Sequence, residues 1–303
     1  MLKLASYRPE LAIGFLSEAS NREAEKSWSL FRDMEGQVIG DSLISMARDD
    51  PRKAITWLKS ESARFDDHIS GQTRRVVLYQ IAARDPVLAF QSIRDLGLQA
   101  DDKSVASIVR AARTPEERDR MLGALRGYLQ GMGGAKQRNE AMAGGFGAFA
   151  DQLVAAGTSG AQRWMDGAHL DGPELDALTA GMFGKLKGET AGRWIGWVER
   201  NIPVVQSEAE IGGLFTSWVE ADHMAAGEWL QEASAGTMKD VAAQAYAEAV
   251  AQYDPETASQ WAETLPAGER RDRTIRKVYE RWPKDDPINE KAAASFAECH
   301  GLH

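Results

Sequence analysis

The 303-residue chain has a single cysteine, Cys299. One thiol excludes an intrachain disulfide and falls short of any cysteine-based metal centre. Histidine is scarce too: His68, His169, His223, His300 and His303. None of them makes the His-x-x-x-His or His-Glu-x-x-His spacing that zinc hydrolysis uses, so no metal is expected. Cys299, His300 and His303 read as a C-terminal tail. No run reaches the roughly 18 apolar residues of a membrane span. The opening residues Met1-Leu2-Lys3-Leu4-Ala5-Ser6-Tyr7-Arg8-Pro9 also lack the apolar core of a secretory signal. The expectation is a cytoplasmic chain without a membrane span. Pro9 has too few residues before it for a preceding helix, so the natural chain is allowed to start further upstream.

Catalytic signatures are missing as well. Gly131-Met132-Gly133-Gly134 has no strand before it and no Gly-Lys-Ser/Thr after it, which argues against a phosphate loop. There is no Gly-x-Ser-x-Gly elbow. Two of the adjacent acid pairs, Asp49-Asp50 and Asp285-Asp286, directly precede proline, where helix capping explains them. No catalytic residue and no cofactor are predicted.

Apolar content of 43% with 27% charged residues belongs to a folded chain. The net charge of −9 is unevenly spread. Between 201 and 250, Glu208, Glu210, Glu220, Asp222, Glu228, Glu232, Asp240 and Glu248 face one base, Lys239. That stretch reads as a solvated helix face or as an acidic surface for a basic partner. The densest basic cluster, Arg110, Arg113, Arg118, Arg120 and Arg126, is interleaved with Glu116, Glu117 and Asp119. Nucleic acid, which needs a basic stripe, is therefore not an expected partner.

What the chain does have is a phrase that recurs. Asp254-Pro255…Ala258…Trp261 is matched by Asp50-Pro51…Ala54…Trp57 and Arg8-Pro9…Ala12…Phe15. Weaker copies are Asp85-Pro86…Ala89, Thr158…Ala161…Trp164, Gly188…Ala191…Trp194 and His223…Ala226…Trp229. With further anchors at Pro115 and Pro287 the spacing averages about 35 residues, the size of a two-helix repeat. Asp before Pro suits an N-cap followed by the first helical position. Ala and Trp three apart share a face, the small residue admitting a neighbour and the large one filling beside it. Five positions before the anchors sit Met46, Ile81, Leu153, Phe183, Trp218, Val250 and Trp282, the apolar marks of a preceding helix. Gly236 and Gly268 are expected as helix C-caps, with Asp240 and Asp272 as the following N-caps. The short interval before Pro115 predicts a shortened or misregistered unit, and the Gly/Ala-rich 141–150 stretch a helix packed close to its neighbour.

The phrase at Asp254-Pro255…Ala258…Trp261…Leu265-Pro266-Ala267-Gly268…Arg271-Asp272, then Trp282…Asp286-Pro287, resembles one in uncharacterised bacterial helical-repeat proteins. In broad class these look like tetratricopeptide-type α-solenoids. The likeness is good over 218–292, partial over 41–93 and faint through 100–190. It implies an interaction scaffold and no catalytic residue or ligand.

The predicted fold is all-α, an α-α superhelix of about eight helix–turn–helix repeats running 1–303 as one solenoid, with an irregular or hinge region at 127–147. The predicted function is a non-catalytic scaffold binding a protein or peptide, basic if the acidic surface is used, in a concave groove. Candidate partner-binding residues are Glu220, Asp222, Glu228 and Glu232, with Arg271, Arg276 and Lys277 as an opposing patch. Self-association through the N-terminal helix is a further expectation. The competing reading is an α/α-toroid enzyme acting on a carbohydrate or small molecule through cavity-lining carboxylates, with Trp28, Trp197 and Trp218 as aromatic surface.

Overall fold

The computed structural model describes residues 5, 9–12, 14, 28–65, 69–99, 101–183, 185, 186, 190–202 and 204–302. Among them every regular element is helical and there is no strand. In chain order the long helices are α1 (Trp28–Asp49), α2 (Pro51–Phe65), α3 (Gly71–Ala82), α4 (Pro86–Gln91), α5 (Asp102–Val109), α6 (Pro115–Gln130), α7 (Ala135–Ala156) and α8 (Thr158–Gly167). They continue with α9 (Gly172–Phe183), α10 (Ala191–Asn201), α11 (Val204–Ala221), α12 (His223–Glu232), α13 (Thr237–Val250), α14 (Pro255–Thr264), α15 (Glu269–Arg281) and α16 (Pro287–His300). No helix among the described residues is long and apolar enough to cross a membrane.

The chain divides into two compact units, Met1–Gln152 with Gly167–Leu178, and Leu153–Asp166 with Thr179–His303. The stretch 127–147 lies wholly in the first unit, so the division falls elsewhere. There Gly131 caps α6 and α7 begins four residues later.

In the first unit α1, α3 and α5 pack in succession, with α2 on α1 and α4 against α3, α5 and α6. The second unit repeats the scheme: α11, α13 and α15 pack in succession, while α12 and α14 lie against the members of that row on either side. Helix α10 packs on α11, and α16 on α15.

The anchors of the repeated phrase start helices. Asp85, Asp222, Asp254 and Asp286 each accept a hydrogen bond from a backbone amide of the first turn, at 2.9, 3.0, 3.0 and 2.8 Å. Each such cap is worth about 1 kcal/mol. Thr114 and Glu117 form a reciprocal capping box at the start of α6. Ala12, Ala54, Ala89, Ala161, Ala191, Ala226 and Ala258 are all completely buried. The residues five positions before the anchors, Met46, Ile81, Leu153, Phe183, Trp218, Val250 and Trp282, are all buried too, Ile81 and Leu153 completely. The tryptophans divide: Trp164 and Trp194 are buried, whereas Trp57, Trp229 and Trp261 are half-buried. A half-buried Trp261, stacked edge-on against Tyr246 at 6.0 Å, is a flank of the core rather than its centre.

Two glycines take a different place from the one expected. Gly236 and Gly268 are N-caps of α13 and α15, not C-caps, and Asp240 and Asp272 sit within the first turn. At Gly268 φ is 145°, a backbone region that side chains rarely enter, so the chain turns into α15 there only with glycine. Carboxylates in the first turn complement the helix dipole without capping it.

The short interval before Pro115 holds two brief helices, α4 and α5. The Gly/Ala-rich segment of α7 packs as closely as its composition predicts. A Cβ at Gly144 would run into the backbone of Asp102, and one at Gly145 would lie 2.7 Å from Leu125 Cδ2.

Near the N-terminus residues 9–12 are helical, with Ala12 buried, Leu11 half-exposed and Glu10 paired with Lys53.

Candidate peptide-binding cleft

In the second unit the ends of α11 and α13 and the start of α12 enclose a cleft of about 620 Å³. Its polar lining includes Glu220, His223, Tyr246, Glu248, Asp254 and Arg281, and Val219, Ala249 and Val250 supply apolar wall. Each group is delivered by a different local rule. Glu220 is on the exposed face of the last turn of α11, next to the buried Trp218 and Val219. Asp254 is at the cleft because it caps α14, its Oδ1 accepting from Thr257 N at 3.0 Å. Tyr246 lies in the middle of α13, 6% exposed, with its ring against Trp261 and its hydroxyl close to Gly227. A Cβ at position 227 would stand 3.0 Å from that oxygen. Burial, and secondarily the charge of Asp254, pushes the Tyr246 phenol above its ordinary pKa.

Two lining residues, Glu248 and Arg281, belong to a charge network across the packed row. Arg270 of α15 donates to Glu208 of α11 at 2.7 Å and to Gln244 of α13 at 3.2 Å. Gln244 donates to Glu248 Oε1 at 2.8 Å, and Lys277 donates to Glu248 Oε2 at 2.8 Å. Arg281 donates to the Glu248 carbonyl at 2.6 Å. Glu248 is thus neutralised within the unit, and Lys277 with it.

Of the candidate partner-binding residues, only Glu220 lines the cleft. Asp222 is occupied in capping α12. Glu228 and Glu232 are exposed along α12, outside the cleft lining. Arg271 is half-buried and Arg276 exposed on α15, while Lys277 is tied to Glu248. Tyr246, Asp254 and Arg281 escaped sequence reasoning because they come from separate helices and converge only in the fold. The available signal was the aromatic-acid pair Tyr253-Asp254 just before an anchor proline.

Four of the five arginines of the first unit's basic cluster are paired or buried, and Arg120 is exposed. Arg126 donates to both oxygens of Glu174 at 2.8 and 2.6 Å and to the carbonyls of Ala168 and His169. Arg113 donates to the Tyr79 hydroxyl at 2.7 Å, Arg110 lies 3.6 Å from Asp151, and Arg118 is buried. Burial drives Arg118 below the ordinary guanidinium pKa. Trp197 and Trp218 are buried rather than displayed in a cavity, and the side chain of Trp28 lies outside the described residues. Among the described residues no group of three or more His, Cys, Asp or Glu is placed to hold a metal; His68 and His303 lie outside them.

Comparison with protein-family models, with curated proteins and with solved structures finds no match to this chain.

Proposed function

We propose that the chain is a non-catalytic helical-repeat scaffold, tetratricopeptide-like in broad class, built as an α-α superhelix of about eight helix pairs. Its role in this reading is to bind a protein or peptide. The repeat part draws support from the two packed rows and from the buried alanine at each copy of the phrase. The observation that carries the binding part is the display of large apolar side chains at the cleft. Tyr253, a lining residue, is 81% exposed, and Met224, next to the lining residue His223, is 65% exposed. Tyrosine and methionine are enriched where proteins meet partners, because they contribute large contact area with adaptable shape. A concavity with such a rim and a mixed polar lining suits a peptide better than a small rigid ligand.

The test is photocrosslinking in extracts of the native cell, with benzoylphenylalanine placed in turn at Tyr253, Met224 and the exposed Glu298, which is outside the cleft lining. One polypeptide captured at the first two positions and absent at the third supports the scaffold. Equal capture at all three positions, or none at any, rejects it.

A further inference from the structure

The second-unit cleft holds hydrogen-bonding capacity that the described chain does not use. Glu220 makes no ion pair or hydrogen bond among the described residues, although its carboxylate stands beside a lined concavity. Asp254 commits Oδ1 to capping and leaves Oδ2 without a partner among them. The Tyr246 hydroxyl has no hydrogen-bond partner among them either, in a side chain that is only 6% exposed. The oxygen itself is not cut off from solvent, so a bound group can take the place of water there. These are three acceptors on three elements: the end of α11, the middle of α13 and the cap of α14.

We propose that this cleft receives a lysine side chain of the bound peptide, with the ammonium held by Glu220, Asp254 and the Tyr246 hydroxyl. This rests on the scaffold reading above and assigns the chemistry of its ligand. An ammonium carries three donors around a point charge, which matches acceptors drawn from three separate elements. A guanidinium is a planar fork that prefers both oxygens of one carboxylate, an arrangement Glu220 alone would meet while leaving Asp254 and the Tyr246 hydroxyl unused. The four-carbon stem of lysine lies against the apolar wall of Val219, Ala249 and Val250. Exposed Tyr253 offers an aromatic face to the cation. Opposing charge is limited. Lys277 is balanced by Glu248, and Arg281 is directed at the Glu248 carbonyl. What remains is Glu220 and Asp254 against Arg281, with His223 at the edge.

The probe is a fluorescein-labelled Gly-Leu-X-Leu-Gly peptide with X as Lys, Arg, Gln or Glu, titrated with the full chain and followed by anisotropy. Affinity is expected in the order Lys, then Arg, then Gln and Glu, with the Lys peptide weakened by added salt. Glu220→Gln should weaken the Lys peptide about tenfold, in line with loss of a charge-assisted contact. Tyr246→Phe, which keeps the ring packed, should weaken it about threefold with the melting temperature unchanged. No binding of the Lys peptide, equal binding of the Gln peptide, or indifference to both substitutions overturns the lysine site. Failure of this inference and failure of the scaffold reading are separable. A Tyr253 crosslink of undiminished yield in Glu220→Gln keeps the scaffold and removes the lysine site, whereas no crosslink in the otherwise unaltered chain removes both.

Discussion

The two units solve the same packing problem with different side chains. In the first, the buried charged residues are Arg74, Arg118 and Glu174, and serines Ser42, Ser45, Ser92 and Ser104 are buried beside them. Arg74 crosses the interior to donate to the carbonyls of Ile69 and Leu96 at 3.1 and 2.8 Å, and Arg126 grips Glu174. Among its described polar residues the second unit buries only threonines, Thr179 and Thr274, and it fills its core with aromatic rings. Phe183, Trp194 and Trp197 form one cluster, and Phe215, Trp218 and Trp229 another, with centroids 5.4 to 6.1 Å apart. Tyr246–Trp261 and Trp282–Phe296 continue the series. Similar helix rows are thus compatible with an interior that holds buried charge or one of stacked rings. The first kind is sensitive to proton and salt, the second to volume.

The strongest way to break the contrast is to remove volume from the aromatic core. Trp194→Ala should cost about 3–5 kcal/mol, since its side chain is 1% exposed and touches two other rings. Hydrogen exchange should rise in α10 to α12 first, and an unaltered denaturant midpoint would contradict the ring-filled core. Half-buried Trp261 should lose less when changed to Ala by the same measurement.

Next in size is the charge grip of the first unit. Arg126→Met should cost about 2–3 kcal/mol, between the values for exposed and fully buried pairs, because Glu174 is then left without its partner. The same pair gives a pH signature. Burial raises the Glu174 pKa, but the Arg126 hydrogen bond, the Asp171 amide and the Arg126 charge together hold it below its ordinary value. A carboxyl depressed in the fold contributes fully above the ordinary carboxylate range, and its contribution is lost as pH falls through the lowered value. Acid titration monitored by exchange in α6 and α9 should therefore show loosening that Glu174→Gln makes shallower. A titration unchanged by that substitution would remove Glu174 from the account.

The smallest expected effect runs the other way. Gly127 lies inside α6 with open space where a Cβ would go, so Gly127→Ala should stabilise by about 0.5–1 kcal/mol in thermal melts. At Gly144 the same exchange should destabilise, because the Asp102 backbone cannot yield.

Much of the frame was legible because its rules are local. Asp254-Pro255 announces a capped helix, and Ala258 three residues on announces a buried contact, from the chain's own periodicity. Gly268 misled because glycine serves either helix end, and only the turn geometry decides which. The cleft was legible only at Glu220. Tyr246 reads as one more apolar helix position until the fold sets Asp254 beside it, and Lys277 reads as a free cation until Glu248 arrives from another helix. Local pattern specifies which face is buried, but not which polar groups meet across it.

The Glu208–Arg270 bond joins positions 62 apart, whereas the helix packing of the second unit runs mainly between neighbours and next neighbours. Contacts of short sequence separation form early and fast, since little chain must be ordered before they close. The bond between α11 and α15 then belongs to the late part of assembly, after α13 is seated between them. Its natural effect is on how slowly the finished unit comes apart rather than on how quickly it forms. It acts as a latch on lifetime.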